Sequence, residues 1–421
     1  MTNAEIIKAA FEVWGREFYL NTSLSQIARE LGVSKPALYR HFRNKQALLD
    51  AMKRYFFDDF TSFIRADYEK ALRGEGRECV FILIRAIAEY YARNVHGFIF
   101  SLIRLYDHRT GTRDSEEELK SRGVDLGQFH LRIEKNYTYD PMIMNMIFVT
   151  LTFYMAVFHK QGKSFTNPPS DEAISKRIST ITEIIERGFG YNNKDVGALD
   201  YEGLEKSVAE KVENLEDDPL LKAVAAAVAD AGPWDASMEQ VARRSGLSKS
   251  SLYGHFKSKQ DMLHRLFITE FMRIIDFARQ GMEQSRVQQE QLYLGVFSIA
   301  LYLRSKTDIL VAMDWVRTRR FDFKKRADEK EFMKRNSCET ESAEWEEGPP
   351  PELTKLFEAI EINPLQSGVI TGDSGRRQIS HWILFLIINI LMRPGGSKKI
   401  KNEDIRYLYR FITLGIKGFE K

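Results

Sequence analysis

The sequence predicts an all-α protein made of two tandem copies of one unit, and three observations support this. LSQIARELGVSKPALYRHFRNKQALL at residues 24–49 recurs without a gap as MEQVARRSGLSKSSLYGHFKSKQDML at residues 238–263. Apolar residues around both copies follow helical spacing, and helix-capping residues occupy the same positions in each copy. Because the offset from residue 24 to residue 238 is 214 residues, far longer than a stacking repeat, each copy is predicted to be a pair of domains.

Apolar side chains at helical spacing predict a first amphipathic helix in each copy. In the first copy they are Ile6, Ile7, Ala10, Phe11 and Trp14. In the second copy they are Leu220, Leu221, Val224, Ala225 and Val228. We expect each helix to turn this apolar face toward a small core.

A second helix begins with a predicted capping box. Ser23 precedes Gln26 by three residues, so the two side chains can bond each other's backbone N–H groups. Gly32 is predicted to end this helix, because glycine accepts the left-handed conformation of a helix C-terminus. The second copy repeats the pattern with Ser237, Gln240 and Gly246.

Two further helices follow the glycine. Ser34 and Ser248 are predicted N-caps of a short third helix, and Asn44 and Ser258 are predicted N-caps of a long fourth one. Two helices joined by a glycine-containing turn are typical of a helix-turn-helix. This predicts a small helical head at the start of each copy.

The third helix of the first copy has two distinct faces. Leu38 and Phe42 lie four residues apart and can face the core. The opposite face is predicted to carry basic and aromatic residues, namely Lys35, Pro36, Tyr39 and Arg40. Tyr39 alone could cover a small core, and Lys35 alone could be an ordinary solvated lysine. Together on one exposed face, such residues suit the major groove of DNA.

The charge distribution favours the same interpretation. Residues 24–52 contain five basic and two acidic side chains, and residues 238–266 contain six and two. The two segments therefore carry +3 and +4, whereas the whole chain carries only +3. Positive charge is thus concentrated on the two heads, as nucleic-acid binding requires.

At these residues the sequence resembles the TetR family of transcriptional regulators. The resemblance rests on GVSKPALYRHFRNKQALL, and GLSKSSLYGHFKSKQDML matches the family pattern almost as well. It covers about 50 residues per copy when the first helix is counted, and the remaining segments match in length and order only.

The resemblance implies that the third helix of each head enters the major groove of double-stranded DNA. The implied DNA-binding residues of the first head are Lys35, Pro36, Tyr39, Arg40, His41 and Lys45. Those of the second head are Lys249, Ser250, Ser251, Tyr253, His255 and Lys259. His41 and Lys45 would hold phosphates, with Lys45 at a helix N-terminus whose N–H groups also attract anions.

The resemblance also implies a domain order. We expect a first helix-turn-helix domain at 1–50, a first helical regulatory domain at 51–190, a linker at 191–216, a second helix-turn-helix domain at 217–267 and a second regulatory domain at 268–421. Residues 204–215 of the linker have helical spacing. The regulatory domains would bind a small-molecule effector, for which the sequence identifies no binding residues.

Family members normally pair through their last two helices. The matching segments are Met142–Phe158 with Ile174–Ile185, and Ile379–Met392 with Ile405–Ile416. We therefore expect one chain to pack as an intramolecular pseudo-dimer, and further homodimerisation stays open. Gly188-Phe189 echoes Gly418-Phe419, which would place about 16 extra residues in the second copy, most simply in the loop at 338–352.

The heads differ where bases would be read: Arg40 is replaced by Gly254, Pro36 by Ser250 and Ala37 by Ser251. Arginine can grip guanine through two hydrogen bonds, and glycine cannot. We therefore expect an operator with two unequal half-sites, separated by about one helical turn or a multiple of it.

Several other classes of protein fit the sequence less well. Pro141–Phe158 and Gln378–Met392 are uncharged, but their polar residues favour buried core helices over membrane spans. Cys79 and Cys338 alone can form neither a disulfide framework nor a four-ligand zinc site. The N-terminus lacks a signal-peptide pattern, so a cytoplasmic protein is expected. No catalytic motif is present, and we expect no enzyme, cofactor or metal site.

Two alternatives remain within the helix-turn-helix interpretation. The chain could be a constitutive or architectural DNA binder without an effector, or a protein-interaction module whose heads no longer contact DNA.

Seven aromatic residues could line an effector cavity or simply form the core of a helical bundle. They are Phe81, Tyr90, Tyr91, Phe98, Phe100, Tyr106 and Tyr154.

Overall fold

The computed structural model describes residues 2–17, 24–74, 78–105, 112–128, 141–162, 167–212, 215, 218–233, 235–319, 351–357, 360, 372–393 and 399–420. The regular elements of these residues are helices, with no β-strand among them. The predicted cap Ser23, the aromatic Tyr106 and nearly all of the predicted loop at 338–352 lie outside the described residues.

The first unit contains nine described helices. They are α1 (Asn3–Glu17), α2 (Leu24–Glu30), α3 (Lys35–His41), α4 (Lys45–Arg73), α5 (Glu78–Arg93), α6 (Val95–Leu105), α7 (Thr112–Ser121), α8 (Pro141–Gly162) and α9 (Asp171–Arg187). Two linker helices follow, α10 (Asn193–Gly197) and α11 (Tyr201–Val212). The α11 helix overlaps the segment at 204–215 that has helical spacing, but it begins three residues earlier and ends at Val212.

The second unit repeats this order among its described helices. They are α12 (Pro219–Ala231), α13 (Met238–Ser245), α14 (Lys249–His255), α15 (Lys259–Met282), α16 (Gln288–Ser305), α17 (Thr307–Arg319), α18 (Pro351–Leu356), α19 (Gly372–Leu391), α20 (Asn402–Leu414) and a 3-10 helix (Gly415–Phe419). The two units therefore have the all-α, tandem architecture that the sequence predicts.

Each head is connected to the rest of its unit in two ways. The long helices α4 and α15 begin in the heads and continue along α5 and α16, so a continuous helix joins each head to the rest of its unit. The first helix of each head also packs outside the head, α1 against α6 and α12 against α17. A shift of α6 or α17 would therefore move the head that rests on it.

The two units meet through their last helices. Helix α8 packs against α19, and α9 packs against α20 and the 3-10 helix. Trp382 of α19 is fully buried there, with its ring centroid 6.0 Å from that of Tyr154. Phe153 and Phe385 face each other across the same interface, with ring centroids 5.5 Å apart. These contacts lie within the segments that the resemblance implied for pairing.

Burial in this interface accounts for the two uncharged stretches. Met142–Gly162 is long and apolar enough to cross a membrane, but 78% of its most apolar window is buried inside the protein. Gln378–Leu391 is a shorter apolar helix that packs against it. A helix buried between its own unit and a partner unit needs apolar residues on most of its sides, which explains the composition of both.

Two glycines allow the helix ends of the two units to approach closely. Gly188 ends α9 and Gly415 ends α20, both with positive φ, 52° and 60°. A Cβ on Gly188 would collide with the carbonyl oxygen of Ile412, and one on Gly415 with the backbone of Glu186. Phe189 N–H donates to Ile412 O at 2.9 Å, which joins the units through the backbone.

This geometry corrects the predicted match between Gly188-Phe189 and Gly418-Phe419. The residue that occupies the same C-cap position as Gly188 is Gly415, since both backbones leave the helix with positive φ. The offset at this point is therefore 227 residues. The second copy carries 13 extra residues instead of about 16. The dipeptide match was wrong because it compared residue types without the position of the helix end.

The linker is anchored to the second unit through Glu205 of α11. This carboxylate is buried and accepts hydrogen bonds from Tyr293 Oη at 2.6 Å, Asn402 Nδ2 at 2.9 Å, and Arg406 Nε and Nη2 at 2.6 and 3.0 Å. Glu205 belongs to the linker, Tyr293 to α16, and Asn402 and Arg406 to α20. The linker therefore contributes to the folded core of the second unit.

Candidate nucleic-acid interface

Each head is a small helical domain with an apolar centre. In the first head Leu38 is fully buried, Phe42 is buried, and the two pack with Ile27 and Ala28. The residues at the same positions of the second head are also buried: Leu252, Phe256, Val241 and Ala242. The inner face of each third helix, α3 and α14, is therefore fixed, and its opposite face is turned outward.

The predicted caps fix the start of the third and fourth helices in the first head. Ser34 Oγ accepts from Ala37 N at 3.3 Å, and Asn44 Oδ1 accepts from Ala47 N at 2.8 Å. Gly32 has a φ of 65° in the turn before α3. These interactions satisfy helix N–H groups that would otherwise lack partners, and they orient α3 and α4 relative to α2.

The second head uses the same devices. Ser237 and Gln240 form the predicted capping box, with Ser237 N donating to Gln240 Oε1 at 2.7 Å and Gln240 N donating to Ser237 Oγ at 3.2 Å. Gly246 ends α13 in the left-handed conformation with a φ of 70°. Ser248 and Ser258 cap α14 and α15.

The outward face of α3 presents an aromatic ring and two cations. Tyr39 is 43% exposed, so its ring is accessible to a ligand. Lys35 Nζ lies 5.8 Å from the centroid of its ring. Arg40 is exposed, and no carboxylate among the described residues pairs with it. The face can therefore offer stacking, a cation and a planar guanidinium to a ligand.

The outward face of α14 differs in chemistry. Tyr253 is 50% exposed at the position of Tyr39. The hydroxyls of Ser250 and Ser251 each lie 2.9 Å from Ser248 Oγ, so they form a small hydroxyl cluster at the helix start. Gly254 is exposed, and a Cβ there would meet no atom within 4 Å. This head therefore offers hydroxyls and open space where the first offers Pro36 and Arg40.

The predicted phosphate-binding residues flank these faces. His41 is exposed and its Nδ1 lies 2.7 Å from Asn3 Oδ1, a contact that orients the ring. Lys45 and Lys259 are half-buried first residues of α4 and α15, and burial lowers the pKa of Lys45. His255 is exposed. At each helix start, backbone N–H groups add to the attraction for an anion.

All twelve predicted contact residues thus lie at exposed or half-buried positions, and their contact with DNA remains a prediction. Sequence reasoning missed Asn3, which holds His41 from 38 residues away and gives no signal of its own in the sequence.

Part of the positive charge of the second head is paired internally, because Arg244 bonds Asp230, and Arg265 lies 3.2 Å from Asp261. Within the described residues, no group of three His, Cys, Asp or Glu side chains could hold a metal ion.

A family model described as bacterial regulatory proteins, tetR family, matches the chain twice, at residues 6–52 and 220–266. These ranges contain the two heads. The chain therefore contains two TetR-type helix-turn-helix heads, one in each of its two tandem units. Heads of this type indicate a DNA-binding transcriptional regulator.

Two relatives are similar to this chain over short segments. Over 53 residues it is 40% identical to YuxN, an uncharacterised HTH-type transcriptional regulator of Bacillus subtilis, and the match covers 13% of this chain and 18% of YuxN. Over 47 residues it is 45% identical to the tetracycline repressor protein class A from transposon 1721 of Escherichia coli. This match covers 11% of this chain and 22% of the repressor. The chain thus matches about a fifth of each relative's length.

Proposed function

We propose that this chain is a cytoplasmic, ligand-responsive repressor of the TetR family that reads an asymmetric operator of two half-sites with its two non-identical heads. One observation carries the proposal: the same exposed helix face occurs twice in the chain, with different side chains at the base-reading positions. A regulator that pairs two identical chains would present two identical faces.

The first head would read DNA more stringently than the second. Arg40 can donate two hydrogen bonds to the O6 and N7 atoms of guanine, which is worth about 1–3 kcal/mol of discrimination against another base. Gly254 has no side chain to do so. Ser250 and Ser251 can donate or accept, so they tolerate several bases. The half-site of the first head would therefore show the stronger guanine preference.

The contact between the two units would supply what separate chains supply in a homodimer. Packing of α8 and α9 on α19, α20 and the 3-10 helix ties the two regulatory domains at 51–190 and 268–421 together. The Glu205 cluster holds the linker at 191–216 against the second unit. With both heads fixed by one such pseudo-dimer, half-site centres would lie about one helical turn of DNA apart, or a multiple of it.

An effector would act through ordinary linkage. A small molecule that binds better to a conformation with the wrong head separation lowers the affinity for the operator by the same differential free energy. The packing of α1 on α6 and of α12 on α17 offers a route, because each head rests on a helix of its own regulatory domain.

Selection of binding sites from random double-stranded DNA tests the proposal. The wild-type chain is compared with a Tyr39→Ala/Lys45→Ala variant and a Tyr253→Ala/Lys259→Ala variant. We expect two unequal half-sites from the wild type, and loss of a different half-site in each variant. Two identical inverted half-sites would contradict the proposal that the two heads recognise different sequences. Sequence-tolerant enrichment would indicate an architectural binder, and no enrichment would indicate a protein-interaction module.

A further inference from the structure

Arg177 of α9 is a buried cation whose hydrogen-bonding capacity is largely unused. Its side chain is only 7% exposed. Nη2 donates to Gln161 Oε1 at 3.3 Å, and the guanidinium lies 5.5 Å from the centroid of the Phe158 ring. Nη1 is buried without a hydrogen-bond partner, and no carboxylate among the described residues pairs with the guanidinium. An unpaired buried charge is strongly unfavourable.

Two buried side chains on the neighbouring helix α8 each have a polar atom without a hydrogen-bond partner. Tyr154 is fully buried and its hydroxyl has no hydrogen-bond partner. His159 is 1% exposed, and its Nε2 lies 2.9 Å from the carbonyl oxygen of Tyr91. Because a carbonyl can only accept, Nε2 carries the hydrogen. In the neutral ring, Nδ1 is then a buried acceptor without a partner.

Burial keeps two of these three groups neutral. Burial lowers the pKa of His159 to about 4, so the ring is neutral at physiological pH. Burial raises the pKa of the Tyr154 hydroxyl, which is therefore also neutral. Phe158 connects the three groups: the Arg177 guanidinium lies 5.5 Å from the centroid of its ring, the His159 ring centroid lies 5.4 Å from it, and Tyr154 precedes it by one helical turn on α8. Together the three groups supply one cation, one hydroxyl and one neutral acceptor.

The second unit does not contain such a cluster in its described residues. Its buried Glu270 is paired, accepting from Tyr302 Oη at 2.7 Å and from Arg273 Nη1 at 2.9 Å. Counting back eleven residues from the glycines that end α9 and α20, the position of Arg177 corresponds to Asp404. The buried side-chain atoms without a hydrogen-bond partner among the described residues of the second unit belong to Ser298, Gln378, His381 and Asn389, and none of them is a lysine or arginine.

We propose that Arg177, Tyr154 and His159 form a binding site for a small apolar molecule that carries one carboxylate. The inference deepens the proposed function, because it names the chemical class of the effector. The guanidinium can bind a carboxylate through two parallel charge-assisted hydrogen bonds. The Tyr154 hydroxyl can donate to the ligand, and His159 Nδ1 can accept from a hydroxyl or N–H group of it.

The surroundings argue for one negative charge on an apolar body. Phe98 and Phe158 flank His159, with ring centroids 5.3 and 5.4 Å from the imidazole. A monoanion balances the single charge of Arg177. A phosphate dianion would retain one uncompensated charge among aromatic rings, where desolvation is most costly. The site therefore favours a carboxylate over a phosphate.

The cluster is also placed to affect the contact between the two units. The ring of Tyr154 lies 6.0 Å from that of Trp382, which belongs to the second unit. Thr150, one helical turn before Tyr154, accepts a hydrogen bond from Trp382 Nε1 at 3.1 Å. A ligand that reorients Tyr154 would therefore change the packing that sets the relative position of the two units.

Isothermal titration calorimetry of the full-length chain without DNA tests the site. The probes are benzoate, phenylacetate and octanoate, with benzamide and inorganic phosphate for comparison, all at millimolar concentration. We expect at least one carboxylate to bind the wild type, and benzamide and phosphate to bind more weakly or not at all. Arg177→Met should weaken carboxylate binding by at least about 30-fold, as expected when one member of a buried charged pair is removed.

Two further variants separate a binding role from a structural one. Tyr154→Phe keeps the packing and should weaken binding about 5- to 10-fold, in line with the loss of one hydrogen bond. Lys176→Gln removes an exposed charge next to Arg177 on the same helix and should leave binding unchanged. Thermal unfolding provides a second readout: without ligand, Arg177→Met should melt no lower than the wild type, and the carboxylate should raise only the wild-type melting temperature.

The outcomes distinguish the site from the proposed repressor. No carboxylate binding, or equal binding by Arg177→Met and wild type, would overturn the site even if the heads bind an operator. Preferential phosphate binding would overturn the choice of ligand class. Carboxylate binding by a chain that selects no DNA would support the site and remove the repressor.

Discussion

Trp382 of the second unit donates a hydrogen bond from Nε1 to Thr150 Oγ1 of the first, across 3.1 Å of fully buried interface. Thr150 Oγ1 also donates to the Met146 carbonyl of its own helix at 2.7 Å, so the hydroxyl both donates and accepts a hydrogen bond. A directional bond in an otherwise apolar contact fixes the register of α8 on α19, because any shift would leave the indole N–H buried without a partner.

Thr150→Val should therefore destabilise the chain by about 1–3 kcal/mol, the cost of an unsatisfied buried donor. Thr180→Val is the matched control. Thr180 is also fully buried, but its hydroxyl donates to Lys176 O of its own helix. Urea unfolding measures both free energies. An equal loss in the two variants would show that the bond to Trp382 contributes no more than an ordinary threonine hydroxyl.

Glu205 should make stability depend on pH. Burial alone would raise its pKa, but the hydrogen bonds from Arg406, Tyr293 and Asn402 outweigh burial and lower the pKa below the ordinary value of 4.5. Because the folded-state pKa is the lower one, the stabilisation is complete above pH 4.5 and is lost as the pH falls through the folded-state value.

Glu205→Gln should accordingly lower the free energy of unfolding by about 3 kcal/mol at neutral pH. This value is at the low end for breaking a buried ion pair, because the Arg406 side chain is 32% exposed. The difference from the wild type should shrink on acidification to about pH 3. Glu202→Gln, an exposed position on the same helix, serves as the control. Urea unfolding at both pH values measures the effect. A difference that stays constant with pH would contradict the assignment.

Gly254→Arg should transfer the guanine preference of the first head to the second. The position is exposed and a Cβ there meets no atom within 4 Å, so the backbone leaves room for a side chain to begin. The substitution should also stabilise α14 slightly, by about 0.5–1 kcal/mol, because glycine is unfavourable inside a helix. Site selection should then yield two half-sites of similar stringency. The reciprocal Arg40→Gly variant should relax the first half-site, and no change in either variant would contradict base reading at this position.

Lys45 and Lys259 should each contribute one phosphate contact. Replacing either by alanine should weaken binding to all DNA sequences about equally and reduce the slope of log K against log salt concentration by about 1. Lys194→Ala, which removes an exposed lysine of the linker, should leave the slope unchanged. Titrations at several salt concentrations measure these slopes. A sequence-dependent loss would indicate that the lysines contact bases.

The parts of the fold that depend on local sequence could be predicted. Ser34, Asn44 and Ser237 cap the helices they were expected to cap, and Gly32 and Gly246 adopt the predicted left-handed conformation. These signals involve neighbouring residues. The pairing of α8 with α19 followed from the family resemblance, since an apolar helix does not by itself specify its partner.

The parts that depend on distant residues could not be predicted. Glu205 meets Tyr293 and Arg406 across 88 and 201 residues, and within its own helix it resembles any solvated glutamate. Arg177 lies in a segment rich in charged residues, where an exposed cation would be the ordinary expectation. Its burial results from the packing of α5, α8 and α9, which no local pattern encodes.

We propose that one polypeptide presents two different heads to neighbouring grooves of one duplex. The most direct measurement is the stoichiometry of the complex with its selected operator, by sedimentation at chain concentrations near Kd, combined with hydroxyl-radical footprinting. We expect one chain per operator and two protected segments on one side of the duplex, with the Tyr253→Ala/Lys259→Ala variant losing one of them. Two chains per operator, each protecting a single segment through its first head, would contradict it.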